Sequence, residues 1–259
     1  MVINTAIVEE LAAQGKRVDG REPTAYRSPV TVDVGISKSA EGSARVQIGA
    51  TVVMVGVKLS LDKPYNDTPD EGGITVNVEL TPMSHPEYDP GPPGIKAVEL
   101  ARVIDRGLRE SKAIDLKKLC LVKGEKAWFV MIDIISMNDD GNLFDAAGLG
   151  ALAALKNTTF PAVDELNIID YKKKTTKPLP VVKETLPITV SKIKDKLFID
   201  TSFVEEEVVD ARLTVATTQE GTIAALQKGG EAPLSLAEIS AMTDIAVEKG
   251  QWLRKKVMK

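Results

Sequence analysis

Apolar residues recur along this chain in two rhythms, one of about two residues and one of about 3.6. A helical rhythm over residues 3–13 precedes the polar stretch RVDGREPTAYR. Alternation then takes over. PVTVDVGI (29–36) predicts a strand, and ARVQIGATVVMVGVKL (44–59) predicts a hairpin turning near Gly49. In GGITVNVELTP, Ile74, Val76, Val78 and Leu80 fall on one side and Thr75, Asn77 and Glu79 on the other, the pattern of a half-buried strand. Together these segments predict an antiparallel meander. A proline-rich connection (81–94) leads to a helix over 95–111 and then to the apolar strand AWFVMIDIISM (127–137). The Asp-Gly pair in NDDGN predicts a tight hairpin, and a small-residue helix follows over 145–157.

The basic, polar segment DYKKKTTKP (170–178) reads as a solvated connection. Beyond it, LPITVSKIKDKLFID and ARLTVATTQEGTIAALQ predict two more hairpins. Ser235 and Glu238 have the spacing of a capping box at the start of a final helix, in which Ile239, Met242, Ala246, Leu253 and Val257 share a face. Strands and a helix thus occur twice in succession. The pattern predicts an α+β chain of two sheet-and-helix halves, without parallel βαβ alternation.

Composition narrows the function classes. Aromatic residues make up 4% of the 259, so the core falls to Val, Ile, Leu and Ala. Lys and Arg (33) nearly balance Asp and Glu (37); a polyanion would therefore have to be met by a local patch. Cys120 is the single cysteine, which excludes an intrachain disulfide and fits a reducing compartment. Residues 1–16 carry Glu9 and Glu10 and lack the basic start and apolar centre of a signal peptide, and no apolar run approaches the ~18 residues of a membrane span. A cytoplasmic protein without membrane contact is expected.

The single histidine, His85, lies in TPMSHPEYDPGPPG, so a histidine-based triad or multi-histidine metal site is not supported. GLGALA (148–153) matches a dinucleotide fingerprint, but its glycines fall inside a helical run where small residues permit close packing. SMNDDGNLFDAA resembles a calcium loop, yet Ser136 and Ala147 occupy positions that need carboxylates.

The helix over 95–111 is more suggestive. At ~100° per residue, Leu100, Val103, Ile104 and Leu108 gather on one side with Gly107 among them, and Arg102, Arg106 and Arg109 gather opposite. Glu99 and Asp105 stand where they could pair with Arg102 and Arg109. The stripe reads either as a solvated, ion-paired face or as a phosphate-binding surface built from two-pronged guanidinium donors. The pattern leaves both open.

RVDGR (17–21), AEGSARVQIGATVVMVGVK (40–58), PDEGGITVNVELTP (69–82), DPGPPG, ELARVIDRGLRES and DDGNLFDAA occur in this order, and together they resemble the RNase PH family. The likeness spans nearly the whole chain and is strongest over 17–157. It implies an RNase PH fold with a ribosomal protein S5 domain 2-like core. The whole of residues 1–259 would form one unit, with an N-terminal subdomain at approximately 20–165 and a C-terminal one at approximately 180–259. Within the family it implies a ring subunit of the archaeal exosome. There, related catalytic and non-catalytic chains alternate as three dimers in a hexameric ring, with S1/KH or zinc-ribbon cap subunits on one face. Such a ring degrades single-stranded RNA from the 3′ end by phosphorolysis.

Departures from the family pattern suggest which subunit this is. Where catalytic relatives carry Gly-(Thr/Ser)-Arg to hold phosphate, Asn142 is followed by Leu143 and Phe144. Catalytic relatives also carry paired aspartates; in 171–194 this chain has one acid, Glu184, with Thr185 at the place expected for the second aspartate. The resemblance therefore implies a non-catalytic subunit that binds no cofactor itself, with phosphate and Mg²⁺ at the partner's active site. RNA-binding roles would fall to Arg102 and Arg106, and with them Arg109. Arg17 and Arg21 would order the N-terminal segment by ion pairs. The alternatives are a self-sufficient phosphorolytic exoribonuclease and a purely structural ring scaffold.

Overall fold

The computed structural model of the protein describes residues 5–164 and 168–257. Ile3 and the side chain of Val257 lie outside the described part. Helix α1 (Thr5–Ala13) is followed by β1 (Val30–Val34), β2 (Gly42–Ile48) and β3 (Thr51–Asp62), which form the anticipated antiparallel meander. The β2–β3 turn holds two residues, and Gly49 at φ +59° supplies the left-handed conformation it needs. A Cβ at Gly49 would stand 2.6 Å from the Arg27 side chain, so the site excludes larger residues for space as well.

The next strand departs from the meander. β4 (Gly73–Glu79) pairs in parallel with β6 (Lys126–Asn138), and β6 inserts between β3 and β4 to give the order β1-β2-β3-β6-β4, with β5 (Cys120–Val122) beside the start of β6. Helix α2 (Ile95–Glu110) lies in the crossover, so the fold contains a parallel strand–helix–strand connection that the alternation argued against. The reason is physical. Alternation records which face of a strand is buried, and it carries no information about the neighbouring strand. β6 buries Val130, Ile132 and Ile134 and takes the centre; β4, with Thr75, Asn77 and Glu79 on its more open face, takes the edge.

The NDDGN segment is a strand-to-helix turn, and the expected hairpin is absent. Gly141 (φ +89°) and Asn142 (φ +56°) are both left-handed, and they swing the chain from β6 directly into α3 (Leu143–Lys156). The residues after the turn are apolar on all sides, which suits a helix buried all round better than an edge strand. α3 is that helix. A Cβ at Gly148 would lie 2.2 Å from Pro187 Cγ, and one at Gly150 would lie 2.7 Å from Val55 Cγ2. The glycines of GLGALA therefore let two sheets close on the helix.

A second correction concerns 170–178. Ile169–Pro178 is strand β8, paired antiparallel with β7 (Thr159–Val163). Its polar character reflects a two-stranded ribbon with one solvated face. Thr175 Oγ1 donates to Phe160 O (2.7 Å), and Lys177 Nζ lies 5.1 Å from the Phe160 ring.

The second sheet has the order β10-β9-β11-β12, antiparallel throughout: β9 (Leu186–Ile193), β10 (Lys196–Ile199), β11 (Ala211–Thr217) and β12 (Ile223–Gly230). A short helix, α4 (Phe203–Glu206), follows β10. Helix α5 (Leu236–Val257) begins at the capping box, where Ser235 N donates to Glu238 Oε2 at 2.7 Å, and it buries Met242, Ala246 and Leu253. α2 and α3 are sandwiched between the sheets. Gly107 meets Ala216, and α5 covers the far face of the second sheet, with Gly250 against Ile188. One continuous apolar cluster joins the halves, from Val46 and Ile132 through Leu152 to Val215 and Met242.

Candidate nucleic-acid interface

Helix α2 is built as its pattern requires. Ala97, Leu100, Val103, Ile104, Gly107 and Leu108 are buried, and Arg102, Arg106 and Arg109 face solvent. The arginines line a groove of about 560 Å³ between α2 and Gln227 of β12. Their surroundings differ. Arg109 Nη2 donates to Asp105 Oδ1 (2.8 Å) and to Ile74 O (3.0 Å), so its guanidinium is fixed and held charged by the Asp105 carboxylate. Arg102 and Arg106 have no hydrogen-bond or ion-pair partner among the described residues.

The Glu99–Arg102 pair is not formed, because Glu99 is claimed from another element. Arg212 on β11 reaches it at 2.7 Å, its guanidinium lying 4.4 Å from the Phe144 ring. Gly229 on β12 leaves room for that path, since a Cβ there would fall 2.6 Å from Arg212 Cζ. Of the acids beside the stripe, Glu99 is thus neutralised by Arg212 and Asp105 by Arg109, while Glu110 stays exposed at the helix end. Arg102 and Arg106 remain as unspent positive charge.

A second cavity, about 330 Å³, opens at the N-terminal end of α3 and is lined by Asn142, Leu143, Phe144, Glu206 and Arg212, with Tyr88 contributed by the proline-rich loop. Here the sequence-based assignment of the missing acid pair fails. Thr185 is buried at the C-terminal end of α2, donating its hydroxyl to Ser111 Oγ (2.6 Å), and Glu184 pairs with Lys156 at 2.5 Å. The carboxylates beside Asn142 are Asp200 and Glu206, from the acid-rich stretch 200–207. Glu206 Oε1 accepts from Asn142 N (2.7 Å), and Asp200 Oδ1 accepts from Asn142 Nδ2 (2.9 Å). Linear spacing from β9 pointed to the wrong residues; the acid-rich stretch after β10 was the legible signal.

Asn142, Leu143, Phe144 and Asp200 do not by themselves fit a phosphate or a divalent cation. A carboxylate already occupies the backbone N–H at the entrance to α3, where an anion would sit. Leu143 and Phe144 offer no side-chain donor. Both oxygens of Asp200 are taken by guanidinium groups: Arg27 Nη2 at 2.9 Å on Oδ1, and Arg27 Nε at 3.1 Å with Arg21 Nη1 at 3.2 Å on Oδ2. Among the described residues no group of three metal-ligating side chains forms. His85 packs against Phe203 with ring centroids 4.2 Å apart and planes tilted by 34°.

Arg17 and Arg21 do order the N-terminal segment. Arg17 Nε donates to Glu205 Oε1 (2.9 Å), its other nitrogens hold Ile199 O and Asp200 O (both 2.8 Å), and Arg21 holds Asp19 at 2.5 Å.

This two-sheet architecture with paired subdomains is that of the RNase PH fold, and the chain belongs to the RNase PH family of 3′ exoribonucleases. Residues 27–161 match domain 1 of the 3′ exoribonuclease family, and residues 185–249 match domain 2. The chain is 43% identical to the Exosome complex component Rrp42 of Thermococcus kodakarensis over 96% of its own length and 92% of the relative's. It is 42% identical to the protein of the same name from Methanothermobacter thermautotrophicus, over 93% and 89% of the two lengths. Among solved structures it resembles a chain of the Archaeoglobus fulgidus exosome with RNA bound to the active site, at TM-score 0.90 and 40% identity, covering 97% of this chain and 96% of that one. A chain of an archaeal exosome core matches at TM-score 0.87 and 37% identity, covering 98% and 96%. No helix among the described residues is long and apolar enough to cross a membrane.

Proposed function

We propose that the protein is a non-catalytic subunit of a cytoplasmic, archaeal-type exosome ring, and that it lends Arg102 and Arg106 to the RNA path of a catalytic RNase PH-like partner. The observation that carries this reading is that these two guanidinium groups stand exposed in the α2 groove with no partner among the described residues, while every neighbouring acid but Glu110 is engaged. A fixed helix presenting two guanidinium groups one turn apart can grip successive phosphates of a strand and read no sequence. Alignment of the 3′ end with an attacking phosphate on the partner lowers the barrier to phosphorolysis, which is why an inactive chain can be needed for the reaction. Phosphate and Mg²⁺ belong to the partner's site in this reading. The donor set around Asn142 supports it, because Asp200 is held by arginines and the Leu143 and Phe144 side chains offer an anion no donor.

The test is a ring reconstituted with the catalytic subunit and carrying Arg102→Ala and Arg106→Ala. RNA affinity and decay rate should both fall. The dependence of log affinity on log salt should flatten by about 0.7 for each phosphate that the variant no longer neutralises. An unchanged salt slope removes the role assigned to the two residues and leaves a structural scaffold. A self-sufficient exoribonuclease is the second reading, favoured by Arg212 Nη1, a buried donor without a partner among the described residues, on a side chain that lines the Asn142 cavity. Nucleoside diphosphate release by the purified chain alone, given RNA, phosphate and Mg²⁺, would establish that reading instead.

A further inference from the structure

Arg109 is a corner shared by two openings. One is the α2–β12 groove that holds Arg102 and Arg106; the other, about 800 Å³, lies past the C-terminal end of α2 against the loop between β3 and β4. The floor of this second opening is apolar, with Leu108, Ile114 and Leu116. Its rim carries Tyr65, Lys112 and Arg109. Tyr65 is 55% exposed, yet its ring is anchored by an edge contact to Phe129 (centroids 5.6 Å apart, planes at 79°). Phe129 is itself seated over Gly73, where a Cβ would stand 2.4 Å from the ring. Tyr65 and Arg109 line this opening together. Lys112, left-handed at φ +55°, lines the same opening from just beyond the helix end.

The charge balance says what such a cavity would take. Asp67, Glu71 and Asp115 also line it and balance Arg109, Lys112 and Lys117, which leaves the lining no net positive charge; Asp115 is engaged by Lys118 at 3.2 Å. Carboxylates repel a second phosphate, but they can accept from the amino edge of a base. An anchored aromatic ring over an apolar floor suits the π-face of a base in the same way. The stripe from Arg102 to Arg109 rises ~10 Å along the helix, short of the roughly four nucleotides of the smallest single-strand sites. A strand held on the stripe must therefore continue past one of its ends. The Arg109 end leads into this cavity.

Resting on the reading that Arg102 and Arg106 hold an RNA backbone, we propose that the Tyr65 cavity is a nucleobase subsite of the same strand. One base stacks on Tyr65 above the Leu108–Leu116 floor, and Arg109 holds the phosphate at the turn between the two openings.

The experiment measures equilibrium binding of a fluorescent single-stranded RNA to the assembled ring, without phosphate, across a salt series. Tyr65→Ala should weaken binding by about 5- to 150-fold with the salt slope unchanged, and Tyr65→Trp should retain affinity. In the same assay Arg102→Ala and Arg106→Ala should lower the slope. Wild-type affinity in Tyr65→Ala alongside weakened arginine variants overturns the subsite and leaves the arginine reading standing. No change in either set overturns both. Loss of ring assembly in Tyr65→Ala, read by size-exclusion chromatography, assigns the cavity to a protein contact and also overturns the subsite.

Discussion

Two groups of arginines in this molecule share the same chemistry and differ in almost every physical respect. Arg17 and Arg27 are 4% and 7% exposed, and with Arg21 they converge on Glu205 and Asp200. Their donors are consumed by carboxylates and by the carbonyls of Ile199, Asp200 and Gly141. Arg102 and Arg106 lie on an open helix face and make no comparable bond among the described residues. The first group fastens the segment before β1 to the loop after β10, and through Asp200 and Asn142 to the start of α3. The second fastens nothing. An arginine's role here follows from whether the fold delivers a carboxylate to it and removes water from the pair. The same criterion explains why an anion would meet competition at the start of α3: Glu206 already holds Asn142 N, and Asp200 is held by Arg21 and Arg27.

That contrast can be broken at several points. The largest effect is expected from Arg17→Ala, which would leave the Glu205 carboxylate, 4% exposed, without its positive partner and with Ser202 N as its remaining donor. A loss of about 3 to 5 kcal/mol, on the order of 10 °C in melting temperature, should appear in thermal or urea unfolding; a loss below about 1 kcal/mol would mean that the buried group is no more structural than the exposed one.

Next comes the acid side of the buried network. Asp145 is fully buried, accepts from Tyr26 OH and Thr189 N (both 2.7 Å), and is pushed up to about 7, first by burial and further by the Asp200 charge. A carboxyl whose folded pKa is raised holds its proton more tightly when folded. Its contribution is therefore complete below about pH 4 and is lost as pH rises through about 7. Asp145→Asn keeps the acceptor for Thr189 and removes the titration. Relative to that variant, the wild type should lose roughly 2 to 4 kcal/mol between pH 4 and 8; parallel stability–pH curves would refute the assignment.

The smallest effect on stability is the most telling. Arg102→Ala and Arg106→Ala should change unfolding free energy by less than about 0.5 kcal/mol each, although both should weaken RNA binding in the ring. Substantial destabilisation would show that the groove arginines carry a structural load after all.

Much of the architecture was legible in the residue pattern, for identifiable reasons. The buried faces of β2, β3 and α2 follow from spacing alone, since a side chain's face is set by local geometry. The cap at Ser235 and the packing role of Gly148 and Gly150 were also local. The neighbour of β4 and the turn at Asp140–Gly141 were not, because each depends on where β6 and α3 come to lie. At the site, Leu143 and Phe144 could be recognised as lacking donors. Glu206 and Arg212 could not be connected to them, since they arrive from a helix and a strand distant along the chain.

By itself, then, the sequence determined that one helix would carry an arginine stripe opposite an apolar face, because a period of 3.6 residues leaves no other arrangement. It did not determine which arginines would be free. That was decided when Arg212 crossed Phe144 to reach Glu99, Asp105 turned to Arg109, and Asp200 gathered Arg21 and Arg27. Pairing between charges falls off with distance and strengthens as water is excluded. Both quantities exist only in the folded chain.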